Sequence, residues 1–244
     1  MRLTFIGSGD AFGSGGRFNT CFLAEGEGCR ILIDCGASSL VALKRAGVDP
    51  NAIDAVVLSH LHGDHFGGLP FFLLDAHHMS RRPRPLLIAG PAGTGQRLAA
   101  AQEALFPGSS ETKLRFPLDI REIETGVRAE FPGFAVTPYP AEHSAGAPCH
   151  SLRVEIGGRI VTYSGDTAWT DNLLTAARDA DLFICECSSH ERRLTGHLSY
   201  AELAPRLAAV GARRIILTHL NPDMLARLDA LAHETAHDGL TVDV

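Results

Sequence analysis

No apolar run in this chain of 244 residues approaches the roughly 20 needed to span a bilayer. The opening, MRLTFIGSGD, is too short and too strand-like for a secretory signal, so a soluble, cytoplasmic protein is expected. No cysteine pair has CxxC spacing, and Cys21, Cys29, Cys35, Cys149, Cys185 and Cys187 in so long a chain read as reduced, buried thiols, not a disulfide scaffold. Cys185 and Cys187 alternate in an apolar run and are expected on opposite faces of a strand. Positive charge is also scarce. A formal net charge of −6 argues against a broad nucleic-acid surface, because phosphate binding draws mainly on Lys and Arg. Basic clusters at Arg81, Arg82 and Arg84, at Arg192–Arg193 and at Arg213–Arg214 read as solvated edges, the first also able to serve a compact anionic substrate. Nucleotide fingerprints are missing too. GSGDAFGSGG has Phe12 where a dinucleotide loop needs its third glycine, and GPAGTGQR has Gln96 and Arg97 where a phosphate loop needs Lys and Ser/Thr.

What remains is an ordinary globular composition, 45% hydrophobic and 20% charged, and length enough for one domain or two fused halves sharing a core. Strand-like segments recur throughout: RLTFIG, TCFLAE, RILIDC, DAVVLS, PLLIAG, FAVTPY, SLRVEI, RIVTYS, DLFICE and RRIILT. Helical stretches are SSLVALKRAG, GTGQRLAAAQEALF, SYAELAPRLAAVG and PDMLARLDALAHETAHDG. Strands outnumber helices and often follow one another directly, which suggests two sheets with helices packed outside them. An internal echo supports one domain over 1–244 made of related halves, about 1–125 and 126–244. LIDCG precedes AVVLSHLH in the first, and TYSGD precedes RIILTHLN in the second. In each, one apolar strand ends in aspartate and another in Ser/Thr-His-Leu, which sets Asp34, Asp166, His60 and His219 near a common rim.

The densest chemistry lies in LSHLHGDHFGG, residues 58–68. His60 and His62 alternate at the end of an apolar strand, so their rings can face one side, and Asp64 and His65 follow after the turn. Imidazole with carboxylate suits zinc, and also iron or manganese. VVLS before this stretch and FGGLPFFLL after it bury both flanks, which argues against a chance surface cluster.

SHLHGDH resembles the signature of the metallo-β-lactamase superfamily, and the rest of that pattern follows in order. Asp34 stands in LIDCG, His143 in YPAEHSAG, Asp166 in YSGDT and His219 in LTHL. The resemblance implies an α/β (α+β) fold, a four-layer αββα sandwich of two mixed sheets flanked by helices. It implies two divalent cations, zinc first with manganese or iron as alternatives. One would be held by His60, His62 and His143, the other by Asp64, His65 and His219, with Asp166 bridging and Asp34 orienting a ligand or the loop backbone.

Two close divalent cations can share a hydroxide, so the implied activity is hydrolysis with that hydroxide as nucleophile. His197 in GHLSYAELA resembles the extra histidine of ribonuclease Z-like phosphodiesterases, which faces the scissile phosphate, and Glu186 in FICECSS resembles its acidic support. Asp64, His197 and Glu186 are therefore the expected catalytic residues. The opening loop, with Arg17 and Asn19, resembles the start of the same group. Ribonuclease Z proper carries a long tRNA-binding arm between its third histidine and bridging aspartate. Here residues 144–165 hold only two strands, so tRNA processing is not expected. The expected enzyme is a phosphodiesterase of the compact branch, acting on a small or cyclic anionic phosphodiester without nucleic-acid or membrane partners, and by resemblance a homodimer. The alternatives are a lactone, carboxyl-ester or thioester hydrolase, a tRNA 3′-processing endonuclease or a non-catalytic binding module. Residues 220–244 are too few for the helical C-terminal domain of glyoxalase II-like thioesterases. His150 and His190 are candidates to line the pocket, while His77, His78, His233 and His237 are expected at the periphery.

Overall fold

The computed structural model describes residues 1–244. The chain begins with β1 (Arg2–Gly7), β2 (Cys21–Gly26), β3 (Cys29–Ile33), α1 (Ser39–Arg45), β4 (Ala55–Val57) and α2 (Gly63–Phe66). It continues through α3 (Leu69–His78), β5 (Leu86–Gly90), α4 (Thr94–Leu105) and β6 (Leu118–Glu122). Then come β7 (Ala129–Phe131), β8 (Phe134–Pro140), β9 (His150–Ile156), β10 (Arg159–Tyr163), α5 (Asn172–Ala177) and β11 (Leu182–Glu186). The last elements are α6 (Tyr200–Leu207), β12 (Ile215–Thr218), α7 (Pro222–Leu225), β13 (Glu234–Thr235) and β14 (Thr241–Asp243). Pairing yields two seven-stranded sheets, ordered β14–β1–β2–β3–β4–β5–β6 and β13–β12–β11–β10–β9–β8–β7. Both are mixed. Antiparallel neighbours β1–β2–β3 and β8–β9–β10 give way to the parallel runs β3–β4–β5–β6 and β10–β11–β12–β13.

The period of two along each strand creates the layers. In β3, Ile31 and Ile33 enter the core between the sheets while Leu32 enters the core under the first helical layer. In β11, Leu182 and Ile184 face the other sheet, and Phe183 and Cys185 face the second helical layer. Leu43 of α1, Phe72 of α3 and Leu98 of α4 cover the first sheet. Leu173 of α5, Leu203 of α6 and Met224 of α7 cover the second. Each such fully buried side chain contributes about 1.5–3 kcal/mol by leaving water. The result is an αββα sandwich, as the motifs imply. No helix is long and apolar enough to cross a membrane.

Two local expectations need correction, and one helix has no clear signal in the sequence. PDMLARLDALAHETAHDG is not one helix: α7 stops at Leu225, and Glu234–Thr235 join the second sheet as β13. Ala236 N–H donates to Leu217 O at 2.7 Å, and Ala236 is fully buried between the sheets. Pairing at the sheet edge thus outweighs a helical propensity worth only tenths of a kcal/mol per residue. Cys185 of β11 and Cys187, one residue past its end, lie in the same apolar cluster, because residues two apart in extended chain share a face, and all six cysteines are free and buried. Finally, α3 (LPFFLLDAHH) has so many apolar residues in its first turns that no 3.6-residue period stands out.

Candidate metal centre

Parallel strands bring their carboxyl ends to one edge of the sandwich. At that edge β3 runs into Asp34, β4 into Ser59 and His60, β8 into His143, β10 into Asp166 and β12 into His219, while β11 ends on Glu186. Asp34 (φ 60°) and His219 (φ 61°) adopt left-handed backbone, a conformation that Asp, Asn and His enter more readily than most side chains. β4 ends at Val57, so His60 and His62 stand in the loop beyond it, not on the strand. His62 is the N-cap of α2, which carries Asp64 and His65.

The expected ligands converge in two groups. His60, His62 and His143 form one, and Asp64, His65, Asp166 and His219 the other, each with potential ligand atoms within 4.8 Å of one another. His62 Nδ1 and His143 Nε2 are 3.0 Å apart. In the second group His65 Nε2 is 3.2 Å from Asp64 Oδ2 and 3.3 Å from Asp166 Oδ1, and His219 Nε2 is 3.3 Å from Asp64 Oδ2. Two ligand atoms each about 2.0–2.1 Å from a tetrahedral zinc lie about 3.3 Å apart, so these separations fit the coordination edges of a small divalent ion. Asp166 reaches both groups, with Oδ2 3.5 Å from His219 Nε2 and 3.9 Å from His60 Nε2. His60 Nε2, His65 Nε2 and Asp166 Oδ1 are buried with no hydrogen-bond partner, a cost that a cation would remove.

The electrostatics agree with this donor set. Burial lowers the His60 imidazole well below its usual range, with His65 adding to the effect, which keeps it a neutral donor. Burial alone would lower His219, but Asp166 and Asp64 outweigh it and raise the ring to about 9. Burial would likewise raise Asp64, yet His65 and His219 hold it well below the carboxylate range. In the metal-free chain protons thus occupy the place of positive charge, and cation binding would release them.

The family description “Anti-Pycsar protein Apyc1” matches residues 1–237. The chain belongs to this Apyc1 family. An uncharacterized protein of Mycobacterium leprae is 31% identical over 242 residues, covering 97% of this chain and 83% of its own. The ribonuclease Z of Methanosarcina acetivorans is 27% identical over 273 residues, covering 91% and 88%. The metallo-β-lactamase fold protein YhfI of Bacillus subtilis superposes with a TM-score of 0.78 at 21% identity over 99% of both chains, a likeness of fold. The Apyc1-family chain has the metallo-β-lactamase fold, and its His and Asp side chains form groups able to hold metal ions.

Around the two groups, the Apyc1-family chain holds most of the expected ligand rings by a second atom. Asp34 accepts from His65 Nδ1 at 2.7 Å. Ser59 Oγ is 3.0 Å from His60 Nδ1, and His143 Nδ1 lies 2.9 Å from the Gly196 carbonyl oxygen. Residue type alone assigns neither Ser59 nor Gly196 a role, although Ser59 directly precedes the first histidine and Gly196 directly precedes His197. His197 and Glu186 meet beside the cluster, with His197 Nδ1 3.2 Å from Glu186 Oε1 and the His197 ring 4.9 Å from that of His143.

Other candidates fall elsewhere. Arg17 donates to Ala236 O at 2.6 Å and Asn19 Nδ2 to Asp10 O at 2.9 Å, so both tie down the opening loop. In the cluster at 81–84, two of the three arginines are engaged within the protein. Buried Arg82 donates to the carbonyls of Pro50, Ile53, Arg84 and Pro85, and Arg84 pairs with Asp54, at the end of β4 away from residues 58–65. His150 bonds Thr125 Oγ1 at 2.8 Å, and His190 stacks on Tyr200 at 5.6 Å between centroids.

Proposed function

We propose that this chain is a phosphodiesterase acting on a small or cyclic phosphodiester. His60, His62 and His143 would hold one divalent cation and Asp64, His65 and His219 a second, with Asp166 shared; zinc suits the imidazole-rich set best. When bound, such a pair supplies positive charge for the phosphoryl oxygens and acidity for a water nucleophile. One observation carries the choice of phosphodiester: a histidine that no ligand pattern requires, His197, backed by a buried carboxylate.

Glu186 is fully buried and accepts from Thr167 N–H at 2.7 Å, which aims its carboxylate at His197 Nδ1. That contact fixes the His197 proton on Nδ1 and leaves Nε2 free to carry a second one. Burial alone would lower the His197 ring, but the hydrogen bond and charge of Glu186 raise it, favouring a protonated donor. The side chain is 22% exposed, so Nε2 can meet a substrate and pass a proton to a departing alkoxide. Residues 144–165 hold a short loop and the β9–β10 hairpin, which supports a small substrate over a folded RNA. Ribonuclease Z appears among the relatives, so RNA belongs in the test.

Zinc-loaded protein is expected to hydrolyse bis(p-nitrophenyl) phosphate and cyclic phosphodiesters in preference to a tRNA precursor or a lactone panel. His197→Ala should retain its zinc and lose about 10²–10⁴-fold in turnover on an alkyl phosphodiester. The loss should be smaller with p-nitrophenolate, which departs without a proton. Equal turnover in the variant on both substrates, or turnover of lactones alone, would remove the reading.

A further inference from the structure

Gly196 joins two parts of the site that lie more than fifty residues apart in sequence. It belongs to the loop 187–199 between β11 and α6. That loop is closed on itself by the bridge Ser189↔Ser199, by Ser188 N–H to Leu198 O at 2.9 Å, and by Tyr200 N–H to Ser189 O at 2.7 Å. His197 N–H to Leu194 O at 3.1 Å shapes the tip. From this tip the Gly196 carbonyl accepts from His143 Nδ1–H at 2.9 Å. The contact assigns the His143 proton to Nδ1, and Nε2, 3.0 Å from His62 Nδ1, is left with its lone pair toward the three-histidine group.

Two features make glycine necessary at this position. Its φ is 75°, in the left-handed region, and a Cβ added there would lie 2.7 Å from His143 Nδ1, inside van der Waals contact. The same peptide leads straight into His197, whose Nδ1 is held by Glu186. The His143 ring and the His197 ring are therefore set by neighbouring atoms of one rigid turn.

We infer that Gly196 is a positioning residue that couples cation binding at His60, His62 and His143 to the docking of the loop that presents His197. Linkage makes the coupling reciprocal: a cation held by His143 would fix the ring and thereby the turn, and a displaced turn would weaken cation binding. The inference rests on the metal-binding part of the proposed function and not on the identity of the substrate.

Zinc titration of metal-free protein tests it, with hydrogen exchange of residues 187–199 as a second measurement. In the wild-type chain, zinc should slow exchange of the Ser188, His197 and Tyr200 amides. In Gly196→Ala, one of two zinc equivalents should weaken about 10- to 100-fold, while His197→Ala, which keeps the glycine carbonyl in place, should retain both. The wild-type exchange measurement stands even if the glycine variant folds poorly. Wild-type zinc affinity in a folded Gly196→Ala, or identical wild-type loop exchange with and without zinc, would overturn the inference. A wild-type protein that shows this coupling but hydrolyses no phosphodiester would instead defeat the functional reading alone.

Discussion

Asp34 is fully buried, yet its two oxygens accept from Ser59 N, Ser59 Oγ and His65 Nδ1, each at 2.7 Å. Burial raises its pKa, and the bonds from His65 and Ser59 pull back against that rise. One carboxylate thus orients the His65 ring and, through Ser59, the His60 ring. Asp34→Asn puts an amide NH₂ opposite groups that need an acceptor. The expected result is a 10- to 100-fold loss in zinc affinity and a stability loss of about 1–3 kcal/mol, read by competitive chelation and by urea midpoint. A variant that matches the wild-type chain in both would show that Asp34 orients nothing.

At the scale of elements, the short helix α2 is stitched to the turn after β3. Cys35 N–H donates to His65 O at 2.7 Å, Ala37 N–H to Gly63 O at 3.1 Å, and Gly68 N–H to Cys35 O at 2.9 Å. This close approach requires glycine at position 36, where a Cβ would fall on the Asp64 carbonyl oxygen and the Asn19 side chain. Gly36→Ala must push α2 outward, carrying Asp64 and His65 with it. Calorimetry should show a melting temperature lower by several degrees, since about 2 kcal/mol shifts a domain of this size by roughly 4–8 °C. Zinc content should fall below two equivalents. An unchanged melting point would mean that the turn and α2 are not held together as described.

The whole molecule contributes through its interior. His150, at the start of β9, sends its backbone N–H to Ser59 O at 3.0 Å, and its side-chain Nδ1 is buried without a partner. Burial lowers its ring from 6.5 to about 4. Below pH 6.5 the unfolded chain takes up a proton at this histidine and the folded chain does not, so stability falls as pH drops from 6.5 toward 4. The loss at this residue is on the order of 2–3 kcal/mol by pH 4. His150→Gln, measured metal-free by urea unfolding at pH 7 and pH 4.5, should remove most of that slope. Parallel losses in the two chains would assign the acid sensitivity elsewhere.

Local chemistry alone determined the strands with a clear period and the order of the His and Asp motifs. RILIDC and DLFICE announce strands buried on both faces, and LSHLHGDHFGG announces a clustered set of His and Asp side chains between two apolar flanks. The ten strand segments read from sequence are all strands in the structure. The tertiary structure decided what depends on a distant partner. Glu234 and Thr235 became strand because β12 offered an open edge, and Arg82 became a buried clasp because carbonyls of residues 50–53 and 84–85 surround it. Gly196 acquired its contact with His143 only when the loop after β11 folded back over the end of β8. Periodicity and residue type are properties of neighbours along the chain, whereas a hydrogen bond across fifty residues exists only after the sheets have packed.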